Sequence, residues 1–362
     1  MSTNVNGVKE LNDHVDQWWR RTLNGIHVER AAGRMLILVV IAFAGFSFLV
    51  PHIFMTGLNF QNMALSVPET GLLAVAMMVA MLTGGIDLSL VSIANLSAIT
   101  ISTTFTAIAA SNPDMAESMG PLIILLGIAV GLLAGAINGW LIAVVGVTPI
   151  LATLGTMQIF NGLAVVWTGG KTLYGSPAAL TGFGQSTVAG IPMLFLVFIL
   201  VAFAVGFLIN RTPLGLSLAL EGANDVASRY SGIRRRRLLM QSYLLTGLIG
   251  GIAGVVFIAR NPTASADYGA SYTLLVIVIA VLGGTNPNGG FATVAGVFLS
   301  ALTLQIVQSG FTAMRLSTFQ YSIAQGVILI TVLVIDQVDW KEKRRRRKRR
   351  HEAAAQAAEV NA

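Results

Sequence analysis

An aspartate follows two glycines between two long apolar runs of this chain. The segment is Thr83-Gly-Gly-Ile-Asp-Leu-Ser89, and Asp87 is its one acidic residue. A carboxylate in an apolar environment is costly and is by default a candidate for function. The glycines predict an interrupted helix, which is tolerated at membrane depth only where the backbone is buried in protein or lines a cavity. Two compatible interpretations stay open: Asp87 borders a pathway, or it caps the next helix by accepting N–H bonds from that helix's first turn.

A later segment, Leu282-Gly-Gly-Thr-Asn-Pro-Asn-Gly-Gly290, has a similar pattern. Two glycines end an apolar run, and a polar turn leads to the next run. The similarity is too short to establish an internal repeat. It predicts a second helix ending of the same kind.

A long polar segment, 210–237, separates two hydrophobic halves. Cations flank and interrupt it at Arg211, Arg229 and 234–237. A polar, potentially helical loop on the cation-rich side of a membrane protein is a candidate docking surface, because a soluble partner can reach it. The alternative is a solvated connection whose arginines only set orientation.

Other chemistry finds little support in the sequence. The chain has no cysteine, and its four histidines are scattered without the spacing of metal ligands. The segment from Val165 to Thr172 resembles a phosphate-binding loop, but the motif needs glycine where Val165 stands and a strand before it. We therefore expect no enzyme activity, no metal and no cofactor in this chain. If ATP drives the process that this protein carries out, another subunit must bind the ATP.

The composition is that of an integral membrane protein. Hydrophobic residues make up 54% of the chain and charged residues 11%, with a mean hydropathy of +0.74, whereas soluble domains carry about 25% charged residues. The apolar runs are continuous rather than alternating, which predicts an all-α membrane protein and not a barrel. About ten runs could span a bilayer: 35–50 (extended through Pro51 to 55), 62–82, 90–110, 121–147, 149–167, 191–209, 238–259, 272–282, 291–309 and 319–335.

Two details of this assignment stay open. Pro68 lies in the second run, so that helix is either broken or begins its regular part after the proline. The segment 168–190 is rich in Gly, Ser and Thr and is expected to be a loop.

Positive charge predicts the orientation. All of the 23 Lys and Arg residues except Lys171, Arg260 and Arg315 fall before residue 35, within 210–237 or after residue 336. An even number of spans puts these three regions on one side, which the positive-inside rule makes cytoplasmic. The expected organisation is a cytoplasmic tail (1–34), a membrane domain (35–336) and a basic cytoplasmic tail (337–362). That basic tail is a candidate for binding membrane lipid, and the net charge of +7 is no sign of nucleic-acid binding.

Glycines also predict how the helices pack. They recur every four residues in the fourth run and form a similar stripe in the seventh. Such stripes let helix backbones approach closely where lipid supplies no hydrophobic drive, so they predict a compact bundle. The positions are Gly127, Gly131, Gly135 and Gly139, and Gly247, Gly250, Gly251 and Gly254.

Taken together and in order, several motifs resemble bacterial ABC sugar-importer permeases of the ribose type. The resemblance covers roughly 60–335 and implies a type II ABC importer-like bundle of ten helices. It further implies a second permease subunit, two cytosolic ATP-binding-cassette ATPase subunits and a periplasmic sugar-binding protein. The motifs are 83–89 (TGGIDLS), Asn138-Gly139, 153–157 (TLGTM), 224–233, Arg260, Gly283-Gly-Thr285 and Gly289-Gly290.

The resemblance also implies where the ATPase docks and where the pathway lies. The residues 224–233 correspond to the family's ATPase-docking loop, which gives Asn224, Asp225, Ala227, Ser228, Arg229, Ser231 and Gly232 as docking residues. The expected pathway residues are Gly84, Gly85, Asp87 and Asn138. This chain has Asp225, Ser228 and Tyr230 where the family usually has Glu, Ala and Leu. It also departs from the family at Val91, Leu216 and Thr273.

The expected function is import of a small neutral sugar across a bacterial inner membrane, with both termini cytoplasmic. Neutral polar groups suit a hydroxyl-rich cargo, which needs hydrogen bonds without strong charge. One alternative is an ion-coupled secondary transporter, for which Glu69 and Asp87 are the available carboxylates. Others are the same architecture with a nucleoside or a furanone signal as cargo, and a membrane scaffold that transports nothing.

Overall fold

The structure is a bundle of α-helices. It is a computed structural model that describes residues 30–317, 319–328, 330, 331 and 334. The predictions for the two tails therefore lie outside the described residues, except that 30–34 form the start of the first helix. The helices are α1 (Arg30–Leu49), α2 (Pro51–Phe54), α3 (Gly57–Leu82), α4 (Leu90–Ala109), α5 (Pro113–Ser118), α6 (Gly120–Trp140), α7 (Pro149–Thr168), α8 (Ala178–Gln185), α9 (Met193–Arg211), α10 (Pro213–Ala223), α11 (Asp225–Tyr230), α12 (Arg235–Arg260), α13 (Tyr272–Leu282) and α14 (Val294–Ala313).

Eight of these helices are long and apolar enough to cross a membrane: α1, α3, α4, α6, α7, α9, α12 and α14. The eleven-residue α13 is apolar but shorter. The tenth predicted run, 319–335, is helical where it is described. The expected all-α membrane bundle is confirmed.

Two predictions about prolines are wrong. The first helix does not continue through Pro51, because α1 ends at Leu49 and the short helix α2 starts at the proline. Proline has no N–H for the i−4 carbonyl, and it pushes the preceding residue out of the helical region; Val50 has φ −139° and ψ 54°. In contrast, α3 runs unbroken through Pro68, which is buried among neighbouring helices that hold the helix together.

The segment 168–190 is not simply a loop. It contains α8 and the two-residue strands β1 (Leu173–Tyr174) and β2 (Thr187–Val188). Strand β1 pairs antiparallel with β4 (Thr263–Ala264), and β2 pairs with β3 (Ile191–Pro192). The β1–β4 pair ties the connections after α7 and α12 to each other, and both short pairs satisfy part of the backbone hydrogen bonding of the connecting segments.

The core is formed by α3, α4 and α12, whose side chains are mostly buried, whereas α1, α7 and α9 expose long apolar faces. The glycine stripes pack as predicted, with α6 lying directly against α12. A Cβ atom built on Gly131 would lie 2.5 Å from Gly251 Cα, and one on Gly247 would lie 2.6 Å from Gly135 Cα. Any side chain at this crossing would push the two helices apart.

Candidate functional site

The predicted helix interruption lies between α3 and α4. Gly84 adopts a left-handed conformation, with φ +78°. Its N–H donates to Met81 O at 2.8 Å, and the Gly85 N–H donates to Ala80 O at 3.2 Å, which closes the end of α3. Gly85 has no room for a side chain, because an added Cβ would lie 2.5 Å from the Tyr243 hydroxyl and 3.2 Å from Pro149 Cβ.

Asp87 does not cap α4, so that interpretation is wrong. Its Oδ1 accepts hydrogen bonds from the N–H of Ser89 at 3.0 Å and from the Ser89 hydroxyl at 2.6 Å. Ser89 precedes the first turn of α4, and it is the N-cap residue. Asp87 instead fixes the tight turn that leads into the helix.

A chain of buried hydrogen bonds joins Asp87 to Asn138, so the structure brings these two predicted pathway residues together. The Asn138 amide donates to Ser89 Oγ at 2.7 Å, and the Thr156 hydroxyl donates to Asn138 Oδ1 at 2.6 Å. On the other side of Asp87, the Thr246 hydroxyl oxygen lies 3.2 Å from Oδ2. Helices α6, α7 and α12 therefore each contribute a polar side chain to this network.

A second bridge holds the same turn to α7. The Leu88 N–H donates to the Thr153 hydroxyl oxygen at 3.2 Å, and that oxygen also lies 3.0 Å from Ile86 O and 2.9 Å from Pro149 O, which share its one proton. Asp87, Asn138 and Thr153 are all fully buried. The bundle is thus closed around the interruption in this conformation.

Sequence reasoning missed most of this network. Thr153 and Thr156 stood in a quoted motif, TLGTM, but their spacing of three on one helix face was the signal that both point the same way. Thr246 offered no such signal, because a lone threonine in an apolar helix commonly bonds its own backbone.

The later glycine segment ends its helix in the same way as the first. Gly284 has φ +89°, its N–H donates to Val281 O at 2.9 Å, and the Thr285 N–H donates to Ala280 O at 3.1 Å. Each bond repeats one at the end of α3. The prediction of a second helix ending of this kind is confirmed.

The two endings also touch each other, with α10 between them. The Gly290 N–H donates to Leu82 O at 3.0 Å. A Cβ on Gly289 would lie 2.8 Å from Gly84 N and 2.8 Å from Gly222 Cα. A Cβ on Gly222, in α10, would collide with Leu82 O. We call Gly222, Gly289 and Gly290 with residues 82–84 the glycine junction.

The candidate docking segment, 224–233, forms the short helix α11 with both ends capped. Asn224 Oδ1 accepts the Ala227 N–H at 3.0 Å. At the other end Gly232 is left-handed, with φ +78°, and the Gly232 and Ile233 N–H groups donate to Arg229 O and Ser228 O at 3.0 and 3.3 Å. This pair of bonds is a Schellman motif, which explains the Ser-Gly-Ile sequence.

Most of the predicted docking residues lie on the surface. Asn224, Asp225, Ala227, Arg229, Ser231 and Gly232 are exposed. Ser228 differs, because it is buried at 2% exposure and faces the bundle. The same short helix also exposes 55% of Val226 and 90% of Tyr230, two large side chains that were not among the predicted docking residues.

An ion pair that the sequence did not predict anchors α10 to α12. Arg235 Nε donates to Glu221 Oε1 at 2.7 Å. The Glu221 side chain is 2% exposed, and that of Arg235 is 48% exposed. Arg235 is also the first residue of α12, three residues before the predicted start of that helix, which agrees with the good helix propensity of arginine.

A second buried acid, Glu69, lies at the other end of α12. Arg260 Nη1 donates to Glu69 Oε2 at 2.8 Å, and the Tyr268 and Tyr272 hydroxyls donate to Oε1 and Oε2 at 2.7 and 3.2 Å. Burial, and then the Glu69 charge, raise the pKa of the Tyr268 hydroxyl far above its ordinary value, so it stays protonated as the donor. Glu69 is a satisfied structural ion pair between α3, α12 and the start of α13.

Within the described residues, no group of three His, Asp or Glu side chains is placed to hold a metal ion. Asp87 and Glu69 lie in separate networks, each with its own hydrogen-bond partners.

Comparison with known proteins agrees with the architecture. Residues 59–334 match a family model described as "Branched-chain amino acid transport system / permease component". The ribose import permease protein of Bacillus subtilis (strain 168) is 30% identical over 84% of this chain and 91% of its own length, and the D-allose transport system permease protein of Escherichia coli (strain K12) matches to the same extent. An autoinducer 2 import system permease protein of Yersinia enterocolitica is 34% identical over 73% of this chain and 79% of its own length. No solved structure matches.

The family model covers most of the chain, including the interruption, the docking segment and the glycine junction, and the relatives align with 73% to 84% of the chain. They are transport permeases and not enzymes, as was expected for this chain. The chain therefore belongs to the branched-chain amino acid transport system permease family, and it is a multi-pass membrane permease subunit of an ABC importer.

Proposed function

We propose that this permease imports a small neutral sugar across a bacterial cytoplasmic membrane, with both termini in the cytoplasm. A second permease subunit, either a copy or a paralogue, completes the pathway. A periplasmic sugar-binding protein delivers the cargo, and ATP-binding-cassette ATPase subunits dock on 224–232. The names of the ribose and D-allose relatives support the sugar class.

The observation that carries the proposal is the form of the docking segment. Helix α11 is exposed, capped at both ends and followed by the exposed cations Arg234, Arg236 and Arg237. The Glu221–Arg235 pair holds the helix before it against α12. A capped helix on a fixed base can transmit a push, whereas a solvated connecting loop would yield to it. This form favours docking over the interpretation that the arginines only set orientation.

The glycine junction can transmit a displacement of the docking helix to the predicted pathway. Helix α10 leads directly into α11 and carries Gly222, which touches the backbone of Leu82 and Gly290. A displacement of α10 therefore reaches the end of α3, the interruption at 83–89 and the turn before α14. ATP binding can shift the permease only to the extent that docked ATPase states favour different arrangements of these elements.

The polar groups at the interruption suit a neutral cargo. Apart from Asp87, the network offers hydroxyls and an amide from Ser89, Asn138, Thr156 and Thr246. We place the pathway at Gly84, Gly85, Asp87 and Asn138, which separate to admit cargo when the bundle opens. Hydroxyls and amides both donate and accept, as sugar hydroxyls do.

A furanone signal of the autoinducer 2 type is the second candidate cargo, and one observation favours it. The autoinducer 2 permease relative is 34% identical to this chain, slightly more than the ribose and D-allose relatives at 30%. The ion-coupled class and the scaffold are set aside, because the chain belongs to a transport permease family driven by a partner ATPase. Glu69, one of the two carboxylates that ion coupling would use, is already paired with Arg260.

Cysteine labelling tests the proposed orientation and the docking surface together. The chain contains no cysteine, so a single cysteine introduced at Val226 or Tyr230 is the one position that a maleimide can label. A membrane-impermeant maleimide should label these positions only from the cytoplasmic side, and the ATPase subunit should protect them. The matched control, Lys171→Cys, should be labelled only from outside and remain unprotected. Labelling of Val226→Cys from the periplasmic side would overturn the proposal.

Competition for uptake tests the cargo. The full complex is reconstituted in proteoliposomes with the cytoplasmic face inward, ATP enclosed and the binding protein outside. These vesicles should take up labelled ribose or allose. Unlabelled autoinducer 2 that competes more strongly than either sugar would support the second candidate and contradict the first.

A further inference from the structure

Asp87 is a buried acid without a counter-charge. It has no exposed surface, and among the residues that the structure describes its side chain forms no salt bridge. Glu69, the other fully buried acid in a span, has Arg260 at 2.8 Å. An isolated carboxylate in a protein interior is strongly unfavourable unless it is paired or becomes neutral.

The groups that face Asp87 are all uncharged. Its own segment supplies Ser89, and α12 supplies Thr246 together with the buried, titratable phenol of Tyr243, which lies against Gly85 and within the field of the Asp87 carboxyl group. Through Ser89, α6 adds Asn138, and α7 adds Thr156. None of these side chains can balance a negative charge.

The two oxygens of Asp87 are unequally supplied with donors, because the one donor to Oδ2 is shared with a second acceptor. Oδ1 accepts the N–H and the hydroxyl proton of Ser89. Oδ2 has only Thr246 Oγ1, at 3.2 Å, but that oxygen also lies 3.0 Å from Tyr243 O. A carbonyl oxygen can only accept, and a hydroxyl has one proton to donate. The one Thr246 proton cannot serve both acceptors, so whenever it bonds Tyr243 O, Oδ2 and Thr246 Oγ1 face each other across 3.2 Å with no proton between them.

We propose that Asp87 is a proton-binding site, holding a proton on Oδ2 and donating it to Thr246 Oγ1. The Thr246 hydroxyl then donates to Tyr243 O, and Ser89 donates to the remaining carbonyl oxygen of the acid. With this proton in place, each hydrogen bond around Asp87 joins one donor to one acceptor. The uncharged acid also explains how the interruption is buried without a cation.

The proton predicts which substitutions the site tolerates. In Asp87→Asn the amide oxygen accepts from Ser89 as before, and the amide N–H₂ donates to Thr246 as the acid does. In Asp87→Ala both partners lose their bonds. Asp87→Asn should therefore melt at the wild-type temperature in detergent, and Asp87→Ala several degrees lower. An asparagine variant as unstable as the alanine variant would overturn the proposal.

Infrared spectroscopy of the purified full chain at neutral pH tests the proton itself. Wild type should show the carbonyl band of a buried protonated carboxylic acid, and this band should shift on ¹³C labelling of aspartate. The band should vanish in Asp87→Asn and persist in Glu69→Gln, the matched control whose carboxylate is paired with Arg260. A spectrum without the band, or one in which Asp87→Asn leaves it unchanged, would overturn the assignment.

Discussion

The main-chain N–H of Gly290 donates a 3.0 Å hydrogen bond to the main-chain carbonyl oxygen of Leu82, the last residue of α3. This bond joins the polar turn after α13 to the helix interruption more than two hundred positions earlier in the chain. Gly222 of α10 lies against both partners. Helix α10, which precedes the docking surface, and the segment that interrupts the core are therefore in direct contact through backbone atoms.

Substitution of Gly222 by alanine should uncouple the permease. The new Cβ would meet Leu82 O and, at 2.5 Å, Gly290 N, and neither backbone atom can turn aside. Overpacking of this kind costs about 1–3 kcal/mol, and if that cost falls on the transporting conformation, uptake falls by roughly 5- to 150-fold at unchanged protein level. Uptake and ATP hydrolysis should be measured in the same proteoliposomes. The control is Gly155→Ala, whose Cβ would meet nothing within 4 Å; equal uptake by the two variants would refute the junction's role.

Substitution of Gly131 by alanine should destabilise the fold rather than the coupling. The added methyl group would lie 2.5 Å from Gly251 Cα and 2.7 Å from Gly247 O, in the closest crossing of α6 with α12. We expect a loss of about 1–3 kcal/mol in the free energy of unfolding, measured by thermal unfolding in detergent. Gly162→Ala is the matched change on an open helix face. If both variants melt together, the glycine stripe is not needed for packing.

Removal of one partner from the Glu69–Arg260 pair should also destabilise the protein. Breaking a buried ion pair costs about 3–5 kcal/mol, and the 29% exposure of the Arg260 side chain lowers the expected loss for Glu69→Gln to the bottom of that range or below it. The exposed pair Asp225–Arg229, at 3.6 Å, provides the comparison. Asp225→Asn should cost less than about 1 kcal/mol, and a thermal shift as large as that of Glu69→Gln would contradict this account.

The sequence located the elements of the site better than it located their partners. The glycines of Thr83–Ser89 predicted an interrupted helix, and Gly283 and Gly284 predicted a second helix end, because both features depend on local backbone conformation. Asp87 and Asn138 were singled out because a polar side chain in an apolar run is conspicuous. Their neighbour Thr246 was not, since it meets Asp87 across 159 residues and no local pattern encodes that contact.

Charged pairs were missed for the same reason. Glu221 and Arg235 were both visible as charges in the docking region, but nothing in their spacing of 14 residues indicates a bond. Glu69 and Arg260 are 191 residues apart. Ser228 was expected on the docking surface by its position in the motif, yet the helical period of α11 turns it inward. The helix break at Pro51 follows from the local stereochemistry of proline, whereas the continuity of α3 at Pro68 depends on packing that no local pattern encodes.

The conformation of Gly232 makes the docking segment open to a graded test. Its φ of +78° favours glycine and tolerates asparagine far better than a β-branched residue. Gly232→Asn should retain most of the coupled turnover, and Gly232→Val should lose it although the position is sterically open. Fluorescence-detected size-exclusion chromatography should show both variants folded. Loss in Gly232→Asn equal to that in Gly232→Val would show that glycine is needed for contact and not for conformation.

The most direct test of the central claim is ATP hydrolysis coupled to transport by the assembled complex. Asp225→Lys reverses the charge at the start of α11 and should leave the bundle folded, since Asp225 is exposed and makes only a long ion pair with Arg229. With saturating cargo and binding protein, this variant and Gly232→Val should lose cargo-stimulated ATP hydrolysis together with uptake. Full coupled turnover in both variants would show that the ATPase does not grip this permease at 224–232.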